Sequence, residues 1–178
     1  MRIVAGSARG RTLLAPRGPG TRPTSDKVRG AVFNVLGQFF DGGTVLDLYA
    51  GSGALALEAL SRGFQRAVCV ESDREAAAVI RRNAEACGFA EHVAIRCEAV
   101  EPALGRLSPA SFTLAFLDPP YALGPEAALA ALAPLLARGA LAVAEHDARR
   151  PPLERYGALV VEDRREYGDT GISIYRLE

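Results

Sequence analysis

Four consecutive residues, Asp118-Pro119-Pro120-Tyr121, carry the clearest chemistry in this 178-residue chain. They follow the apolar run Phe112-Thr113-Leu114-Ala115-Phe116-Leu117, which reads as a buried strand of a parallel sheet. Proline has no amide hydrogen, so carbonyls around a Pro-Pro pair are not spent on a helix or ladder and can face a ligand. Asp118 adds a charged acceptor, and Tyr121 a flat face for stacking. Open α/β sheets bind ligands at the carboxyl ends of their strands. The tetrad is therefore expected to hold a planar base that carries an amino group.

A second constellation lies upstream, at Asp47-Leu48-Tyr49-Ala50-Gly51-Ser52-Gly53. Glycines here let the backbone approach a ligand and leave a helix start free to orient it. Gly51 to Ala56 fits G-x-G-x-x-A, and Glu71 lies 20 residues beyond Gly51, as a dinucleotide fingerprint requires. A nicotinamide oxidoreductase thus stays open on this loop alone. Asp47 shifts the balance, because its carboxylate can shape the loop or meet a ligand ammonium through water. A pyrophosphate has no use for that charge, whereas the amino acid end of S-adenosylmethionine tolerates it. Glu71, ending a strand, can accept both ribose hydroxyls of an adenosine, and Glu98 is placed to take an adenine amine. The candidate cofactor residues are Asp47, Tyr49, Ala50, Gly51, Ser52, Gly53, Glu71, Ser72, Glu98, Ala99 and Asp118.

These residues need a scaffold that brings strand ends together. From Thr44 onward, strands read at 45–49, 67–70, 93–97, 112–117 and 140–145, with helices after the first, second and fourth, at about 54–61, 74–87 and 125–137. A terminal hairpin pairs 159–161 with 172–175 around Gly168-Asp169-Thr170-Gly171. This is an α/β pattern: a parallel sheet with antiparallel strands appended. Ahead of it, residues 1–14 suggest a β-hairpin with arginines near its turn. A Pro/Gly-rich connector follows at 16–23, then a helix capped by Thr24 or Ser25 with Asp26 in its first turn. Its apolar face is Val28, Ala31, Val32, Val35, Leu36 and Phe39.

The length suits one domain with a substantial core. Zero net charge conceals an asymmetry. Residues 1–30 carry seven basic groups against Asp26, a net of +6, so the rest carries 14 basic and 20 acidic groups, a net of −6. A basic arm on an acidic body fits contact with a polyanion. Cys69, Cys87 and Cys97 are unpaired in pattern and expected to be buried thiols. His92 and His146 are isolated, so no metal site is expected. No apolar run approaches the roughly 20 residues of a membrane span, and the start lacks the apolar segment of a signal peptide. A cytoplasmic location is expected.

Asp118-Pro119-Pro120-Tyr121 resembles the catalytic motif of amino-methyltransferases. An aromatic amine is a poor nucleophile because its lone pair is delocalised into the ring. Acceptance of its hydrogens by the Asp118 carboxylate and the Pro119 carbonyl would favour a pyramidal nitrogen, whose lone pair can attack a sulfonium methyl. Tyr121 would stack on the base once it has left its helix. The wider set Ile3-Val4-Ala5-Gly6, Arg9-Gly10-Arg11, Arg22-Pro23-Thr24-Ser25-Asp26-Lys27-Val28-Arg29, Asp47 to Glu58 and Asp118 to Tyr121 is similar, in order, to the bacterial 16S rRNA guanine-N2 methyltransferase D family. The resemblance implies a Rossmann-like class I methyltransferase fold with a seven-stranded, mostly parallel sheet and a C-terminal antiparallel hairpin. It implies methyl transfer from S-adenosylmethionine to the exocyclic N2 of one guanine, conventionally nucleotide 966, of 16S rRNA within the assembled or assembling 30S subunit. Asp118, Pro119, Pro120 and Tyr121 would be catalytic; Arg9, Arg11, Arg22, Thr24, Lys27 and Tyr121 would meet the RNA. Residues 1–40 would form the RNA-contacting extension and 41–178 the methyltransferase domain, acting as a monomer. Amino-methyltransferases of DNA adenine N6 or another amine or amide acceptor, and a non-catalytic RNA-binding module, remain alternatives.

Overall fold

The computed structural model describes residues 1–16, 26–120 and 122–178. Arg22, Thr24 and Tyr121, and the expected cap at Thr24 or Ser25, lie outside the described residues. The parallel strands are β1 (Thr44–Leu48), β2 (Arg66–Val70), β3 (Val93–Arg96), β4 (Phe112–Leu117) and β5 (Leu136–Asp147). β6 (Arg155–Tyr156), β7 (Leu159–Tyr167) and β8 (Thr170–Leu177) add the antiparallel side, with β8 against β5. The sheet order is β3-β2-β1-β4-β5-β8-β7-β6. Among the described residues eight strands replace the expected seven, because the two-residue β6 is too short to leave an alternation pattern.

The helices are α1 (Asp26–Leu36), α2 (Ala54–Ser61), α3 (Arg74–Cys87), α4 (Val100–Leu104) and α5 (Glu126–Leu132). Side chains alternate along each strand, and the two faces feed two cores. Val45, Leu114, Phe116 and Val143 pack with the N-terminal segment, α1, α2 and α3. Leu46, Leu48, Ala115 and Leu117 pack with α4 and α5. α3 is capped as its sequence dictates: Asp73 accepts from the Ala76 amide at 2.7 Å, and Gly88 ends the helix in the left-handed region.

Several local expectations are corrected. α5 stops at Leu132 rather than near Ala137, since Pro134 lacks the amide a helix needs. A 3-10 turn then leads into β5, which starts at Leu136 and shifts register against β4 between Phe112 and Leu114. The short α4 had no periodicity long enough to reveal it. The N-terminal hairpin is one antiparallel bridge, Arg2 to Thr12, closed by the Ile3 amide on Arg11 O and the Leu13 amide on Met1 O. α1 ends at Leu36, short of Phe39, which is exposed; Val35, within α1, is exposed as well. Cys97 is exposed just beyond β3, whereas Cys69 is buried and Cys87 partly so.

Glu58 ties the N-terminal segment to the sheet. It is fully buried in a helix that is otherwise almost wholly apolar. One carboxylate oxygen accepts the Val4 amide at 2.8 Å and faces Arg29 Nε at 3.4 Å; the other accepts the Ala5 amide at 3.0 Å and Arg62 Nε at 2.8 Å. Arg29 also donates to Arg2 O and to Asp26, and the Arg62 guanidinium lies 4.7 Å from the Phe33 ring centroid. Next along α2, Ser61 O accepts the Ser7 amide at 2.8 Å. Gly6 has φ 85°, and a Cβ there would come within 1.8 Å of Ser61 O, so glycine is required at this crossing. Removing Glu58 leaves two buried guanidiniums and two amides short of an acceptor. Glu58→Ala is expected to lower unfolding free energy by about 3–5 kcal/mol, read by urea denaturation. A loss below about 1 kcal/mol would show that the network does not support the fold.

Candidate active site

Strand order reverses between β1 and β4, and their carboxyl ends open the crevice where ligands of such sheets sit. A cleft of about 450 Å³ occupies that place, within the roughly 300–1,000 Å³ usual for small-molecule sites. Both constellations reach it. Leu48 pairs with Leu117, so the glycine loop and the Asp-Pro-Pro turn leave the sheet from adjacent rungs. Asp47, Tyr49, Gly51, Glu71, Asp118 and Pro119 line the cleft, as do Ala50, Ser52, Ser72, Ala99 and Pro120.

Two candidates stand elsewhere. Gly53 is buried under the loop at φ 76°, where a Cβ would meet Ile80 at 3.0 Å. Glu98 is not among the lining residues; it pairs with Arg106 at 2.6 Å and with Arg96 at 3.5 Å. Arg9 and Arg11 are exposed at the turn of the N-terminal segment, and Lys27 is exposed in the first turn of α1.

The loop is held open by a small set of bonds. Glu71 accepts the Gly51 amide at 2.8 Å through one oxygen and the Asp73 amide at 2.8 Å through the other. A carboxylate offers about four lone-pair sites, so Glu71 keeps capacity for ligand hydroxyls. Gly51 has φ 56°, and a Cβ there would meet nothing within 4 Å; the backbone presents an open, uncluttered face. Tyr49 also has positive φ, 63°, an uncommon conformation for a bulky side chain.

Asp47 is almost wholly buried and accepts the Ala56 amide at 3.2 Å. Burial pushes its carboxyl up to about 8; the Ala56 bond opposes this, and the charges of Asp118 and Glu71 add to it. At neutral pH Asp47 is therefore largely a neutral brace that ties β1 to α2.

Several cleft-forming residues escaped sequence reading. Met1, Pro16, Leu55, Val70, Val100 and Glu145 line the cavity. Asn83, buried on α3, donates to Ser52 O at 2.9 Å and to Leu14 O at 3.0 Å, and accepts the Leu14 amide at 2.8 Å. It joins the glycine loop to the N-terminal segment. Its signal was available: a polar residue in phase with Ala76, Val79, Ile80 and Ala84 on the apolar face of α3.

Sheet order, glycine loop and Asp-Pro-Pro turn together define a Rossmann-like fold of the class I methyltransferase type. Residues 1–176 match the family model described as Conserved hypothetical protein 95. The chain belongs to that family, the rRNA small-subunit methyltransferase D group its motifs resemble. YlbH of Bacillus subtilis (strain 168) is 40% identical over 181 residues, spanning 99% of this chain and 98% of that protein. Ribosomal RNA small subunit methyltransferase D of Escherichia coli (strain K12) is 36% identical over 124 residues, 70% of this chain and 62% of that protein. Among solved structures, Escherichia coli yhhF superposes with a TM-score of 0.84 at 30% identity, covering 100% of this chain and 98% of that one.

The ionisation of Asp47 is testable through stability. The unfolded carboxyl ionises near about 3.9, so from there to about 8 the folded state keeps a proton that the unfolded state has lost. Asp47 therefore erodes stability as pH rises through that window. Asp47→Asn keeps an oxygen acceptor for Ala56 without the titration. Its stability relative to the native protein should improve steadily from about pH 5 to about pH 8 in urea unfolding. A difference independent of pH would mean that Asp47 is ionised in the fold.

Proposed function

We propose that the chain is an S-adenosylmethionine-dependent rRNA methyltransferase that methylates the exocyclic N2 of a guanine in 16S rRNA of the small ribosomal subunit. The observation that carries this reading is the meeting of the Gly51 loop and the Asp118-Pro119 turn on one cleft at adjacent strand ends. The name of the Escherichia coli relative supplies the rRNA acceptor.

The donor fits the cleft on the chemistry of the residues present. Glu71 retains acceptors for ribose hydroxyls, Val70 and Val100 offer apolar walls for a base, and the open face at Gly51 admits close approach. Asp47 and Ser52 lie beside that loop, Ser72 and Ala99 at the strand ends. When bound, S-adenosylmethionine supplies an electrophilic methyl group on a sulfonium. The remaining work falls to the protein. Asp118 and the Pro119 carbonyl accept the two hydrogens of the guanine amine and favour a pyramidal nitrogen. Tyr121 stacks on the extruded base. Holding two reactants in line can remove about 7–11 kcal/mol from a barrier, so positioning suffices without a covalent intermediate.

Residues 1–40 serve as the RNA-contacting extension and 41–178 as the methyltransferase domain. Arg9, Arg11 and Arg22 contact phosphates of the assembled or assembling 30S subunit, and Thr24 and Lys27 meet the RNA near the active site, with the enzyme acting as a cytoplasmic monomer. Among the described residues no helix is long and apolar enough to cross a membrane.

Incubating the protein with labelled S-adenosylmethionine and unmodified small subunits should label one guanine at N2, located by mapping the modified nucleotide. Label on adenine N6 would overturn the acceptor. Asp118→Ala should cut the rate by about 10²–10³-fold, as loss of a positioned polar group at a reacting centre does, with S-adenosylhomocysteine still bound in calorimetry and NAD not bound. Full activity of that variant would sink the amine-holding role. Neutralising Arg9 and Arg11 together should flatten the log–log salt dependence of subunit binding by roughly 1.4–1.8; an unchanged slope would take these residues out of the interface.

A further inference from the structure

Of the carboxylates that line the cleft, the amine-holding scheme gives no role to Glu101 and Glu145. Glu145 lines the same cavity as Asp118 and Pro119. Leu117 pairs with Ala144, so Asp118 and Glu145 are the next residues out from one rung, on chains about 4.8 Å apart. Two residues back, Phe116 and Val143 enter the same core, which puts the Asp118 and Glu145 positions on one face of the sheet. Their supports differ. β4 ends at Leu117, whereas β5 runs on to Asp147 and keeps Glu145 paired with Ile172 of β8. Glu145 is thus half-buried on a ladder-braced strand, a support that places side chains more accurately than a loop does.

We infer that Glu145 is a specificity-determining residue whose carboxylate accepts the N1–H of the target guanine while Asp118 and Pro119 hold the N2 amine. This inference rests on the guanine-N2 reading above. The chemistry is asymmetric between bases. In guanine one of the two ring nitrogens beside the exocyclic amine, N1, bears a hydrogen, so an acceptor-only carboxylate on that side finds a donor. In adenine and cytosine the ring nitrogen beside the amine is itself an acceptor. A carboxylate would then meet a lone pair, and both groups would lose their water without gaining a bond. A site built around a hydrogen bond rejects a ligand that cannot make it far more strongly than an apolar pocket rejects a missing methyl group.

The test uses small subunits reconstituted with a synthetic RNA segment carrying either guanine or 2,6-diaminopurine at the target nucleotide. Diaminopurine keeps the amine on C2 but has an acceptor at N1. The native enzyme should prefer guanine by at least about 100-fold in kcat/KM. Glu145→Gln should lower the guanine value by about 10–100-fold and narrow the preference to within about tenfold, because a rotated amide can donate to the acceptor nitrogen. S-adenosylhomocysteine affinity and the melting temperature should stay essentially native. An unchanged preference in Glu145→Gln overturns the inference. So does a parallel fall in S-adenosylhomocysteine affinity, which would assign Glu145 to the donor. If the native enzyme binds S-adenosylhomocysteine yet leaves guanine-bearing subunits unmethylated, the acceptor reading itself fails, and this inference with it.

Discussion

The fold turns on a buried carboxylate. Glu58 sits at the middle of α2 with no access to solvent, a position where an unpaired charge would cost several kcal/mol. It is compensated by two backbone amides from Val4 and Ala5 and by the guanidiniums of Arg29 and Arg62. The compensation is incomplete on one side, since Arg29 Nη1 is buried without a hydrogen-bond partner among the described residues. What the arrangement achieves is register. α2 begins at the glycine loop and carries Glu58 one turn later, so the N-terminal segment is keyed to the helix that shapes the cleft. Asn83 repeats the linkage from α3, binding Leu14 and Ser52 together. The basic turn at Arg9 and Arg11 therefore belongs to a segment tied by these bonds to the helices that shape the cleft.

Within the cleft, similar carboxylates take different roles because their surroundings differ. Asp47 is dry and largely neutral at pH 7, and serves as a brace. Glu71 is half-exposed and divides its oxygens between the Gly51 and Asp73 amides, keeping the loop open. Asp118 and Glu145 line the cavity from neighbouring strands, one rung beyond the Leu117–Ala144 pair. Glu98, the remaining acid considered for the cofactor, is committed to Arg96 and Arg106. Sequence places all five near strand ends; solvent access and local partners divide the labour.

Much of the scaffold was legible because its signals are local. β4 matches its apolar run, α3 matches its periodicity and caps, and the terminal hairpin turns at the expected glycine. The misses share a cause. β6 and α4 are shorter than any period that could reveal them. α5 gives way at Pro134, but the early start of β5 at Leu136 comes with a register shift against β4, which is a tertiary event. Phe39 fits the helical phase of α1, but Gly37 at φ 118° stops the helix first.

The residues alone determined the alternation of strands and helices, the two motifs at strand ends, and the basic bias of the first 30 positions, because each is written in neighbouring side chains. Glu58 and Asn83 were visible as polar residues on apolar helix faces, yet apart from Arg62 their partners lie about 30 to 70 positions away in the chain. Only the packed sheet brought Glu145 beside Asp118, since strand order and register are global properties. Burial, too, is decided in three dimensions: nothing in the string Val-Leu-Asp-Leu says that its aspartate is sealed from water and holds its proton near neutrality.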